Sequence, residues 1–136
     1  MDIEAIHHVA LTCSDLERSR RFYREILKLE EIERPPFDFP GTWYGIGKTQ
    51  QLHLIVCKNP TFRIDKGVDT RDVHLALRVG SYWGAVEFLR SKGYREDAES
   101  LDLKKMVVRP KAVAGFPQLY ILDPDRHVIE INAELA

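Results

Sequence analysis

Apolar and polar residues alternate in short stretches along this chain. In four of those stretches a histidine or a carboxylate sits among the apolar positions: Ile6-His7-His8-Val9-Ala10-Leu11, Leu52-His53-Leu54-Ile55-Val56, Val73-His74-Leu75-Ala76-Leu77 and Val128-Ile129-Glu130-Ile131-Asn132. Alternation with β-branched residues predicts strands. The first is expected over Ile3 to Thr12, with Ile6, His8, Ala10 and Thr12 on one face and His7, Val9, Leu11 and Cys13 on the other. A helix follows, with Ser14-Asp15-Leu16-Glu17 as a capping box led by Ser14. Its apolar stripe is Leu16, Phe22, Tyr23, Ile26 and Leu27, and it ends near Lys28 to Glu31.

Pro35, Pro36 and Pro40 then exclude both helix and central strand. Thr42 to Gly47 and Gln51 to Cys57 read as two strands joined by a short turn, and the polar stretch Lys58 to Asp72 as a linker. The pattern restarts with a strand over Val73 to Val79 and a helix from Ser81 through Lys92, closed by Gly93. Met106-Val107-Val108, Phe116 to Leu122 and His127 to Asn132 supply further strand signals around the turn Asp123-Pro124-Asp125-Arg126.

The two halves superpose as sequences. His8-Val9-Ala10-Leu11 lies over His74-Leu75-Ala76-Leu77, Phe22 over Phe88, Arg24 over Arg90, Glu30 over Glu96, and Leu52-His53-Leu54 answers Ile129-Glu130-Ile131. One βαβββ unit is written twice. The expected fold is α+β: two βαβββ modules, residues 1–57 and 73–136 joined by a linker at 58–72. They form a cup-shaped, mostly antiparallel eight-stranded sheet with helices outside, in a single domain over 1–136.

A length of 136 residues fits one domain, and 44% hydrophobic residues suffice for a packed interior. The net charge of -1 gives no support for a nucleic-acid partner or an anionic membrane surface. No apolar stretch approaches the roughly 18 residues that span a bilayer, and Asp2 and Glu4 are unlike a signal peptide, so a cytoplasmic location is expected. Cys13 and Cys57 lack metal-motif spacing.

The chemistry lies in the repeat. If equivalent strands meet about a pseudo-twofold axis, His8 faces His74 and His53 faces Glu130. His8, His74 and Glu130, with His53 as a fourth candidate, then converge on one divalent metal. Imidazoles and a carboxylate suit Zn, Ni, Mn, Co or Fe and leave positions open for substrate. A single histidine in a strand is more often a hydrogen-bonded core residue; coincidence with the repeat favours ligands. His7 has the opposite parity and His127 adjoins a turn, which assigns both to structure or solvent. Arg78 shares the face of His74 and could clamp a substrate anion, or be a solvated strand end. Phe39, Trp43 and Tyr120 could line a substrate pocket, or simply fill the core. The edges of such a sheet predict a homodimer.

These features resemble the vicinal oxygen chelate superfamily, which includes glyoxalase I, fosfomycin-resistance thiol transferases, bleomycin-binding proteins, extradiol dioxygenases and methylmalonyl-CoA epimerase. The similarity rests on Ile6 to Leu11 leading to Ser19 and Phe22-Tyr23, and on Asp123-Pro124-Asp125 leading to Ile129-Glu130-Ile131. It implies His8, His74 and Glu130 as metal ligands; at such a site Glu130, or a metal-bound hydroxide, is the candidate catalytic base. It also implies a lyase, isomerase or thiol transferase acting on a small oxygenated substrate. A sequestering protein for an antibiotic-like molecule and a dioxygenase are the alternatives. The chain departs from glyoxalase I at His53, where those enzymes carry a second glutamate, and Arg126-His127 replaces the usual Gly-Asn. The first departure implies weak methylglyoxal–thiol isomerisation.

Overall fold

The computed structural model describes residues 1–57 and 63–135, in two compact units, 1–62 and 63–136. Part of the expected linker, residues 58–62, lies outside the described residues. Unit 1 contains β1 (His8–Cys13), α1 (Leu16–Arg21) continued by a wider π turn (Phe22–Ile26), β2 (Glu30–Ile32), β3 (Gly41–Ile46) and β4 (Gln50–Val56). Unit 2 contains β5 (His74–Val79), α2 (Tyr82–Ser91), β6 (Val107–Arg109), β7 (Gln118–Leu122) and β8 (Val128–Ala133). The strand orders are β1-β4-β3-β2 and β5-β8-β7-β6, so the units share one topology. The interval from His8 to His74 also separates Leu16 from Tyr82, as the sequence repeat requires.

The α+β class and the duplicated unit are as expected. The eight strands, however, form two four-stranded sheets, and each is mixed. β1 runs parallel to β4 and β5 to β8, while the remaining pairs are antiparallel. A helix crossover returns the chain for a parallel pairing, whereas tight turns give antiparallel ones.

Local differences have local causes. The first strand starts at His8 rather than Ile3, and Ile3 and Ile6 are exposed, with no face to bury them. The cap of α1 is Asp15, not Ser14. Its backbone is extended and its carboxylate accepts from Arg18 N at 3.1 Å, while Ser14 Oγ accepts from the Arg18 guanidinium. The short, acidic β2 escaped the alternation rule. Its Glu31 is held by the forked guanidinium of Arg20 at 2.8 Å, which ties β2 to α1 and lowers the Glu31 pKa. Ser81 caps α2 by accepting from Gly84 N, and Gly93 takes φ +90° just past its end.

Each sheet buries one face against its helix. In unit 1 Cys13, Tyr23, Tyr44, Leu52 and Leu54 are fully buried. In unit 2 Val86, Leu89, Leu119, Ile121 and Ile129 fill the same role. Gly41 is required by this packing, since a Cβ there would stand 2.4 Å from the Leu54 carbonyl oxygen. The opposite faces carry the polar residues. Among the described residues no helix is long and apolar enough to cross a membrane.

Candidate functional site

Register places the ligand-type residues at corresponding points of the two units. In unit 1 Ala10 lies beside His53 and Trp43 on its other side; in unit 2 Ala76 lies beside Glu130 and Tyr120 on its other side. Period two then sets His8 on the His53 face and His74 on the Glu130 face.

In unit 1 the rings of His8 and His53 stack at 4.1 Å, and Trp43 lies flat on His53 at 4.0 Å and 2°. Phe37 leans on Trp43 at 6.0 Å and stacks with Phe39 at 5.1 Å, with the Arg34 guanidinium over both phenyl rings. His53 is buried, and its Nε2 bonds Gln51 Oε1 at 2.8 Å. Burial, followed by the nearby His8, His7 and Arg34, pushes its pKa down, so it is a neutral imidazole at pH 7. His8 is exposed and its Nδ1 is paired with His7 Nδ1 at 2.8 Å. His7 is thus a neighbour of the cluster rather than a part of the apolar face.

In unit 2 His74 Nε2 stands 3.1 Å from Glu130 Oε2, and the carboxylate is almost fully buried. The other carboxylate oxygen, Oε1, accepts from Asn132 Nδ2 at 2.8 Å and Gln118 Nε2 at 3.1 Å. Burial alone would raise the Glu130 pKa. The polar groups of Asn132, Gln118 and Tyr120, then the charge of His74, outweigh it and hold the group below the usual glutamate range. Tyr120 packs edge-on against His74 at 5.6 Å. Its pKa is raised by burial and then by the Glu130 charge, which keeps the hydroxyl protonated.

His74 has its tautomer set from outside the strand. Nδ1 lies 2.7 Å from the Asp72 carbonyl oxygen, which can only accept, so Nδ1 carries the proton. A neutral His74 therefore turns an Nε2 lone pair towards the Glu130 anion. Two acceptors at 3.1 Å are stable only with a cation between or on them, either a proton on Nε2 or a metal ion. An imidazole fixed through Nδ1 by a backbone carbonyl is the arrangement that suits a metal-binding Nε2. The donor set therefore fits a divalent ion. Among the described residues no group of three or more His, Cys, Asp or Glu side chains is gathered as a metal site. The four expected ligands lie as one pair in each unit.

A family model for the Glyoxalase/Bleomycin resistance protein/Dioxygenase superfamily matches residues 5–131. The chain belongs to this superfamily. Among curated proteins, the glyoxalase-superfamily chain is 26% identical over 134 residues to the uncharacterized protein YwkD of Bacillus subtilis (strain 168), covering 96% of this chain and 98% of the relative. A Bacillus anthracis protein named for the glyoxalase family shares its fold, with a TM-score of 0.75, 22% identity and coverage of 99% and 98% of the two chains. A glutamate-to-glutamine mutant of the fosfomycin resistance protein FosX from Listeria monocytogenes, complexed with Mn(II) and 1S,2S-dihydroxypropylphosphonic acid, aligns with a TM-score of 0.69. That pair is 17% identical, with 98% and 95% of the two chains covered.

The substrate candidates of this superfamily chain fall in different settings. Tyr120 and Trp43 flank Glu130 and His53 directly, whereas Phe39 is at the far end of the unit 1 ring series. Arg78 is on the expected face, but its Nε donates to Asn132 Oδ1 at 2.5 Å and its guanidinium covers the Phe116 ring. It orients the Asn132 amide, which then donates to Glu130. Gln118, Asn132 and Asp72 were not anticipated. Asn132 could have been found from its parity with Glu130; the Asp72 carbonyl leaves no side-chain signal.

Proposed function

We propose that the chain is a cytoplasmic, metal-dependent enzyme of the vicinal-oxygen-chelate type, a lyase, isomerase or thiol transferase acting on a small oxygenated substrate. The observation that carries this reading is the His74 Nε2 to Glu130 Oε2 contact, which is satisfied by a proton on Nε2 or by a metal ion and has the donor types that a divalent ion takes. His8, His53, His74 and Glu130 are the proposed ligands of one divalent ion, in a single functional domain. The ion would supply Lewis acidity and chelate neighbouring substrate oxygens. Glu130 would then move a proton at a carbon next to a carbonyl, with its Oε1 steadied by Asn132 and Gln118. His53 in place of a second carboxylate disfavours a two-carboxylate proton shuttle. The Mn(II) complex of the FosX relative supports the class of metal.

Metal titration of the chelator-treated protein tests the reading. One equivalent of Mn, Co, Ni, Zn or Fe(II) per chain, bound at micromolar affinity or tighter, is expected. No uptake of any of the five would assign the contact to an imidazolium–carboxylate pair and remove the metal mechanism. The exposed Phe37 beside Trp43, with the exposed Phe39 stacked on Phe37, supports the second reading, sequestration of a flat aromatic compound. It would take over if metal uptake fails while such a compound binds.

The proposed assembly is a homodimer. β1 and β5 are terminal strands of their sheets, the positions at which a second chain covers a sheet. Light scattering at micromolar concentration is expected to give twice the chain mass of 15.8 kDa. A mass near that of one chain excludes the dimer.

A further inference from the structure

The polar face of unit 2 continues beyond Glu130 into a recess of about 560 Å³, lined in part by Val108, Arg109, Pro110, Lys111, Gln118 and Tyr120. Register explains how it reaches Gln118 and Tyr120, the neighbours of the carboxylate. Tyr120 is paired with Glu130 on one side and Val107 on the other, and Gln118 with Asn132 and Arg109. Arg109 therefore shares the Glu130 face, two strands away and one alternate position along, about 12 Å between Cα atoms by strand spacing and rise. Gln118 belongs to both sites, since its amide donates to Glu130 and it lines the recess.

The charges point the same way. Arg20, Arg63, Arg78, Arg90 and Arg95 each contact a carboxylate of their own unit. Arg109 and Lys111 make no ion pair among the described residues, and both are exposed at the recess. Two cations without ion pairs, an apolar wall from Pro110, Val113 and Ala114, and the Gln118 and Tyr120 neighbours of Glu130 describe a particular kind of ligand. A volume near 560 Å³ suits a small organic molecule.

We propose that this recess binds the anionic end of the substrate, an organic oxyanion such as a carboxylate or a phosphate ester. Its oxyanion is held by Arg109 and Lys111, its apolar part lies on Pro110 and Val113, and its oxygenated end is directed past Gln118 and Tyr120 to Glu130. The direction of the ligand rests on the functional reading above; the anion site itself does not. A guanidinium fork and an ammonium together select oxyanions over neutral molecules of the same shape.

Calorimetry and amide NMR on the metal-free protein test this with four probes: phenyl phosphate, phenylacetate, benzyl alcohol and inorganic phosphate. Both organic anions should bind, perturbing the amides of Val108 to Lys111 and of Gln118. Benzyl alcohol, which lacks the charge, and inorganic phosphate, which lacks the apolar part, should bind at least about tenfold more weakly. Arg109→Gln with Lys111→Gln should weaken both anions by about tenfold or more and leave benzyl alcohol unchanged. Equal affinity for anions and benzyl alcohol, perturbation elsewhere, or full anion affinity in the double variant overturns the proposal. Because no metal is present, a failed metal titration leaves this result standing, and a failed anion assay leaves the metal reading standing.

Discussion

A Glu130→Gln variant is expected to fold as the parent does, to lose divalent-metal affinity by at least about 100-fold, and to lose turnover with it. The lower bound is set by outer-sphere substitutions, which alone cost about 10- to 100-fold in metal sites. The change is nearly isosteric, and the hydrogen bonds survive it. The new amide oxygen can still accept from Asn132 and Gln118, as Glu130 Oε1 does. The new amide nitrogen replaces Oε2 and can donate to His74 Nε2, whose lone pair is exposed to it by the Asp72 carbonyl. The variant thus satisfies its neighbours with no cation, while the anion that would attract one is gone. Metal titration and a thermal melt on the same preparation separate the effects. Retained metal uptake and activity would show that Glu130 is not a ligand.

Ile129→Ala should cost about 2–5 kcal/mol of stability, a large share of the 5–15 kcal/mol typical of a domain. Ile129 is fully buried, one residue from Glu130, and lies between Leu75 and Ile121 on the inner strand β8. With neighbours on two strands, the site cannot collapse around the missing atoms. Ile129→Val, which removes a single methylene, should cost about 0.5–1.5 kcal/mol. Urea unfolding followed by circular dichroism measures both. An alanine cost under about 1 kcal/mol would show that this core repacks freely, and that β8 does not rest on it.

Much of the site is readable one strand at a time. The faces of His8, His53, His74 and Glu130 follow from period two, and the equivalence of His53 with Glu130 follows from the repeat; both appear in the register. The helix starting after Ser81 and its Gly93 terminus were equally legible, because a cap is a property of a few consecutive residues. Legibility failed where the controlling neighbour is close in space but carries no periodic signal. β2 is three residues long with two glutamates, and only its partner β3 makes it a strand. Arg78 had the right face, but Asn132 occupies its guanidinium.

By itself the sequence determined the duplicated βαβββ plan, the family, and the strand faces of the ligand-type residues, since alternation, caps and repeats are local or self-comparing patterns. Tertiary structure alone decided which strands run parallel and what surrounds Glu130. It also decided the proton position on His74 and the placing of Arg109 on the same face. These depend on register between strands distant in sequence and on a backbone carbonyl that every residue type possesses. No alternation of residue types encodes either.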